Sequence, residues 1–207
     1  MSEKLFRETL EPYLPSGTAH IIAKWIEDLE LRIVLWNHRK TKYGDFRPAR
    51  NRGERNAISI NTSLNPYSFL LTIVHELAHA AVYAKYGRAV KPHGEEWKQE
   101  YRTGMLVFIG RNIFPDALER EVAAHLKNPK ASANADVALE KELKKYDDKP
   151  DDGLVYIDDL QKGDTFILPS KGVFIKGDKR RTRHHCTEKS TGRKFLISGI
   201  ARVKKVK

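Results

Sequence analysis

A single cysteine, Cys186, stands among the 207 residues, so an intrachain disulfide and a four-cysteine zinc ribbon are both excluded. A chain without disulfides suits a reducing cytoplasm. Long apolar runs are missing too, since no stretch approaches the ~18 apolar residues of a membrane-spanning helix. The opening MSEKLFRETLEPYLPSG puts acids and prolines where a secretory signal carries its apolar core. The expectation is a cytoplasmic protein with no membrane partner, associated with the nucleoid if it binds DNA. Acids are in deficit, with 38 Lys and Arg against 27 Asp and Glu leaving a net charge of +11, which makes a polyanion such as nucleic acid a partner to test. What is present suffices for a core: 40% of residues are hydrophobic, with eight Phe, eight Tyr and three Trp. The length fits one domain, or one domain with an appendage.

Helices are expected over 3–14 and 18–30, separated by the Pro-Ser-Gly break at 15–17, with Ile21, Ile22, Trp25, Ile26 and Leu29 on one face of the second. The runs 31–36 and 56–61 read as strands flanking a turn-rich basic stretch, forming a hairpin or small sheet. Asn65-Pro66 is a helix start and Gly87 its stop. Further helices are expected over 95–104 and 115–126, with 105–109 either a short buried strand or more helix. Residues 127–152 are small, polar and charged and read as a linker holding a helix near 134–146. Short apolar runs separated by Gly-Asp and Ser-Lys-Gly turns then point to a small antiparallel barrel or sheet. The organisation expected is an α+β domain over 1–128, a linker over 129–150 and a small basic all-β module over 151–207. From Pro150 onward 14 Lys and Arg face 7 Asp and Glu.

The 65–87 helix contains His75-Glu76-Leu77-Ala78-His79, an H-E-x-x-H. Residues four apart share a helix face, so both imidazoles can reach one metal ion while Glu76 lies beside a water at that ion. A catalytic zinc takes three protein ligands and leaves a position for water, whose pKa falls toward ~7; a carboxylate then takes the proton as the water attacks a carbonyl. Glu76 is the candidate base and Zn2+ the candidate cofactor. The plain alternative is two ordinary histidines on an amphipathic helix beside a solvated carboxylate. A third ligand must come from elsewhere. The metzincin pattern is excluded, because Val82 and Lys85 stand where its glycine and third histidine belong. His93 is the leading candidate, with Gly94 expected to permit the turn that aims it. Glu96, Glu100 and Glu121 are its carboxylate rivals.

The stretches Arg39-Lys40-Thr41-Lys42-Tyr43-Gly44-Asp45-Phe46-Arg47, Ile58-Ser59-Ile60-Asn61 with Leu64-Asn65-Pro66, His75-Glu76-Leu77-Ala78-His79-Ala80, and His93-Gly94-Glu95-Glu96-Trp97 together resemble the SprT family, which includes the Spartan proteases. The likeness runs in order through residues 18–126. It implies a compact zincin-like metalloprotease fold with helices packed on a small sheet. It also implies a three-histidine zinc site, which favours His93 over the glutamates, and cleavage of DNA-crosslinked proteins under stimulation by DNA. The chain departs from bacterial relatives where they carry a cysteine-rich ribbon: here His184, His185 and Cys186 stand consecutively. Neighbours on a strand alternate faces and cannot easily share one tetrahedral ion, so a metal-free β module with a buried cysteine and solvated histidines is expected.

Two basic stretches suit a polyanion. Arg39, Lys40, Lys42 and Arg47 interleave with Tyr43 and Phe46, and Lys179, Arg180, Arg181 and Arg183 form a basic turn. DNA, single-stranded or damaged, is thus a candidate partner beside a protein substrate. An extended substrate could pair with an exposed sheet edge, for which 56–61 is the candidate. Trp36 and Trp97 are expected to anchor the core, and Tyr83 and Tyr86 to pack rather than to act. Two other readings stay open, a nucleic-acid-binding protein with a structural or weakly active metal site and a zinc hydrolase of small amides.

Overall fold

Residues 3–37, 42–130, 136–147, 153–169 and 171–206 are described in a computed structural model of the chain. It divides into two compact units, Met1–Ala133 with Glu142–Asp147, and Asn134–Lys141 with Asp148–Lys207. Arg39 and Lys40 lie outside the described residues.

In the first unit, helix α1 (Glu3–Leu10) passes into a 3-10 turn at Glu11–Tyr13 rather than continuing to residue 14. Pro12 has no amide hydrogen to extend the ladder. Gly17 at φ +78° completes the break before α2 (Ala19–Asp28), which buries Ile22, Ala23 and Ile26. A three-stranded sheet follows, β1 (Arg32–Trp36), β2 (Gly44–Arg47) and β3 (Ala57–Asn61), in the order β1-β3-β2. β3 runs parallel to β1 and antiparallel to β2. The small sheet is present, but its hairpin joins β2 to β3, not 31–36 to 56–61.

Two expectations fail on this topology. Residues 56–61 do not form an open edge, because β3 is central, paired on both sides and buried at every position; β2 is an outer strand. Trp36 is 46% exposed because it shares the outward face of β1 with Val34 and Arg32, two and four residues back along the strand.

Helix α3 (Pro66–Tyr86) begins where Asn65 accepts from the Ser68 amide at 2.9 Å, and ends at Gly87, φ +58°. Its buried residues include Phe69, Leu70, Ile73, Val74 and Leu77. Helix α4 (Glu95–Leu106) absorbs the start of 105–109, and the turn after it buries Phe108 edge-on to Trp25. Helix α5 (Asp116–Lys127) follows, and of α6 (Val137–Lys144) the residues from Glu142 onward belong to this unit. α6 buries Leu139 and Leu143, and Asn65 Nδ2 donates to the Leu143 carbonyl and the Asp147 carboxylate at 3.0 and 2.7 Å.

The second unit is an antiparallel sheet of β4 (Val155–Tyr156), β5 (Thr165–Leu168), β6 (Gly172–Arg180), β7 (Arg183–Glu188), β8 (Lys194–Ser198) and β9 (Arg202–Lys205), ordered β4-β9-β5-β6-β7-β8. Ile157, Leu160, Phe166, Phe174, Cys186 and Val203 form its core. On β7 His184 and Cys186 are buried while Arg183 and His185 are exposed, the two-residue period of a strand. His184 is not solvated as expected: its Nε2 lies 2.6 Å from the Asp158 carboxylate, which also takes Lys179 at 3.0 Å. Burial alone would raise the Asp158 pKa, but these two partners hold it below the ordinary carboxylate value. The chain as a whole is α+β, with helices packed on a small mixed sheet and a separate antiparallel sheet.

Candidate metal centre

One helical turn separates His75 from His79 on α3, so their rings project from the same face. His93 reaches that face from the loop after Gly87. The three Nε2 atoms form a triangle with sides of 3.2, 2.9 and 3.1 Å. Each Nε2 carries either one hydrogen or one lone pair, so three mutual contacts cannot all be hydrogen bonds. Three ligand nitrogens on one face of a tetrahedral zinc stand about 3.3 Å apart at the usual Zn–N length, so the triangle fits that donor set. Among the described residues, these three histidines form a group able to hold a metal ion.

Burial disfavours the charged imidazole, and with neighbouring histidines it pushes the pKa of His75 down to about 3 and that of His79 to about 4; burial also lowers His93. All three are therefore neutral near pH 7, the form that ligates a cation. Trp97 and Tyr101 of α4 back the cluster. Trp97 is 1% exposed, its ring 4.5 and 4.7 Å from those of His75 and His93, and its indole donates to the His75 carbonyl at 3.3 Å. Tyr101 stacks flat on it at 5.1 Å. Trp97 is thus a core anchor as expected.

His93 itself adopts φ +57°, while Gly94 is extended at φ −69° and caps α4. The strained left-handed residue is the histidine, not the glycine as expected from sequence. Strain of this kind persists where surroundings hold a residue in place. Space at Gly94 is instead tight, since a Cβ there would lie 3.0 Å from the Lys91 carbonyl oxygen.

Glu76 is 6% exposed. Its carboxylate accepts the backbone amide of Phe46, and Gly44 lies so close that a Cβ at 44 would sit 3.0 Å from Glu76 Cγ and 2.8 Å from Thr72 Cγ2. Burial first, then the Asp45 charge, raises the Glu76 pKa to about 8, against the lowering effects of the Phe46 amide and Lys42. Sequence reasoning assigned no role to Gly44 or to the Phe46 amide. The only local hint was a glycine inside a strand-like run, a mark of close backbone approach.

The glutamate rivals are not in the cluster, and Glu100 is engaged by Lys85 at 2.6 Å. Tyr83 packs on Phe46 with ring centroids 5.6 Å apart, and Tyr86 is exposed. Of the basic candidates, Lys42, Arg47, Lys179, Arg180, Arg181 and Arg183 are exposed. Arg47 is paired with Asp45 and Lys179 with Asp158, and Arg181 sits in the β6–β7 turn at φ +57°. No described helix is long and apolar enough to cross a membrane.

Comparison with known proteins bears on the first unit. The protein named SprT of Actinobacillus succinogenes is 51% identical over 49 residues, covering 22% of this chain and 28% of that relative. No solved structure matches. Residues 13–107, which hold α2, the three-stranded sheet, the whole H-E-x-x-H helix, His93 and α4, match the SprT-like family, and this segment is a SprT-like family domain.

Proposed function

We propose that the SprT-like segment is a zinc-dependent endopeptidase of zincin-like fold that acts on DNA-associated or DNA-crosslinked proteins. The observation carrying this reading is the convergence of His75, His79 and His93 Nε2 beside the buried carboxylate of Glu76. A zinc ion held there supplies Lewis acidity toward a peptide carbonyl and toward water. His75 and His79 offer lone pairs from one rigid face, and His93 closes the third position. Glu76 is the general base: it accepts a proton from the attacking water and passes it to the leaving amine. A cation close by favours its ionised form and so offsets the burial that otherwise keeps it protonated at neutral pH. The Phe46 amide fixes one carboxylate oxygen, leaving the other for water.

The strand beside this base supports binding of extended polypeptide. The Asn61 amide bonds the Tyr43 carbonyl at 2.8 Å, so by alternation Tyr43, Asp45 and Arg47 face β3 while Gly44 and Phe46 turn toward the open side. With the Phe46 amide held by Glu76, a substrate strand laid along β2 would meet the Gly44 amide and the Gly44 and Phe46 carbonyls, a recognition mode that tolerates many sequences. The net charge of +11 and the exposed Arg50, Arg52 and Arg55 support an association with DNA.

Zinc content and cleavage of casein and histones, with and without single-stranded DNA, test this reading against Glu76→Gln. Expected are one zinc per chain in both proteins, cleavage by the parent, and a loss of about 10²-fold or more in the variant. Equal cleavage by Glu76→Gln would sink the assignment.

A further inference from the structure

Strand β8 ends the six-stranded sheet, and among the described residues no strand pairs with its outer side. Its neighbour fixes which backbone groups look outward. The Glu188 amide donates to the Arg193 carbonyl and the Gly199 amide to the Thr182 carbonyl. With Phe195 opposite Cys186 and Ile197 opposite His184, the odd-numbered residues therefore bond β7, and Lys194 and Leu196 present their amide and carbonyl to the open side. This edge lacks most of the devices that blunt edges, having no proline and no bulge, with Lys194 as its one charge.

A groove of about 630 Å³ lies beside it, lined by Leu168, Phe174, Phe195 and Ile197 with Arg183 and Glu188 among its polar members. That volume falls in the ~300–1,000 Å³ range of ligand clefts. The groove opens into the core of the second unit, because Phe174 is 3% exposed while Phe195, in edge contact with it at 5.6 Å, is 39% exposed. Leu196, also part of the groove's lining, is 42% exposed. Arg183, Arg193 and Lys194 outnumber Glu188 around it, and Arg193 lies over the Phe195 ring at 5.9 Å.

We infer that β8 and this groove form a docking site for an extended protein segment that adds as a further strand, sends alternate apolar side chains into the groove and carries acidic residues at its ends. Free main-chain donors and acceptors in strand register match a polypeptide backbone, whereas a phosphodiester supplies acceptors alone. The apolar floor takes every second side chain of such a strand, and the cationic surround selects acidic flanks. The site is built from the second unit alone and does not depend on the proposed peptidase activity.

The test uses the full chain and a fluorescein-labelled peptide of alternating valine and threonine with two glutamates at each end, read by fluorescence anisotropy. Saturable binding is expected, and Leu196→Pro is expected to weaken it about tenfold or more. That proline removes an outward amide that the β7 ladder does not use, a position where an edge strand accepts it. Arg183→Glu should weaken binding several-fold and reduce its salt dependence, and it decides the matter if circular dichroism shows that Leu196→Pro loses its fold. Three outcomes overturn the inference: no saturable binding; an oligothymidylate displacing the peptide and binding with the same sensitivity to Leu196→Pro; or dimerisation of the parent that Leu196→Pro abolishes, which would make a second copy of the chain the occupant.

Discussion

A single added methyl group at Gly44 reaches the proposed base. The Cβ of an alanine there would stand 2.8 Å from Thr72 Cγ2 and 3.0 Å from both Glu76 Cγ and Glu76 Oε1, so the strand or these side chains must shift. Gly44→Ala is expected to lower kcat for protein cleavage about tenfold or more while leaving zinc content unchanged, at a stability cost of about 1–3 kcal/mol. An unaltered kcat would show that the strand does not position Glu76. His93 is the complementary case. It is held at φ +57° with its ring among those of His75, His79 and Trp97. His93→Ala should sharply weaken zinc binding while the helical circular dichroism signal persists, and a variant that kept stoichiometric zinc would remove His93 from the site. Sequence leaves one histidine and three glutamates as candidates for the third position; a loop side chain has no periodic constraint on its direction, and only the tertiary fold brings His93 to the helix.

Among the elements, α3 was the most legible. Asn65-Pro66 sets its start, Gly87 its end, and the helical period puts His75 and His79 on one face whatever the rest of the chain does. Asn65 also has a second task that sequence did not suggest. Its side-chain oxygen caps Ser68, and its amide nitrogen bonds Leu143 and Asp147, tying the start of the helix that carries His75 and His79 to a segment nearly eighty residues away. Asn65→Ala should destabilise the first unit by about 1–3 kcal/mol in chemical denaturation, and Asn65→Asp should restore only the cap. An Asn65→Asp variant as stable as the parent would show that the distant bonds contribute nothing. The strands were legible as strands and illegible as a sheet. The sequence places 31–36 and 56–61 near each other along the chain, yet they are parallel, with β2 beyond β3 on the other side.

At the scale of the whole molecule, the buried titratable groups make stability depend on pH in two opposing ways. His75 and His79 hold no proton in the folded, metal-free chain until about pH 3 and 4, but gain one near 6.5 when unfolded. The unfolded state then binds more protons, so their contribution is complete above pH 6.5 and is lost as pH falls toward 4. Glu76 keeps its proton in the folded chain to about 8 and loses it near 4.5 when unfolded, so its contribution is complete below 4.5 and is lost as pH rises to 8. The metal-free protein should therefore be most stable near pH 6.5 and lose about 2 kcal/mol by pH 8. A bound cation that favours the ionised Glu76 removes the alkaline loss. Melting temperatures of chelator-treated and zinc-loaded protein from pH 4.5 to 8 check this, and a metal-free profile that stays flat above 6.5 would contradict a protonated, buried Glu76.

The sequence by itself determined the face of α3 that bears His75, Glu76 and His79, the absence of a cysteine ribbon, and the α+β character of the chain. Each of these follows from local period or from composition, which need no knowledge of what packs where. Only the tertiary structure decided that β3 is central and β2 lies against Glu76, that His93 rather than Gly94 takes the left-handed conformation, that Trp36 faces outward, and that His184 is buried on Asp158. These are outcomes of long-range pairing and close steric approach between segments distant in the chain, and no period along the sequence encodes which strand a backbone amide will meet.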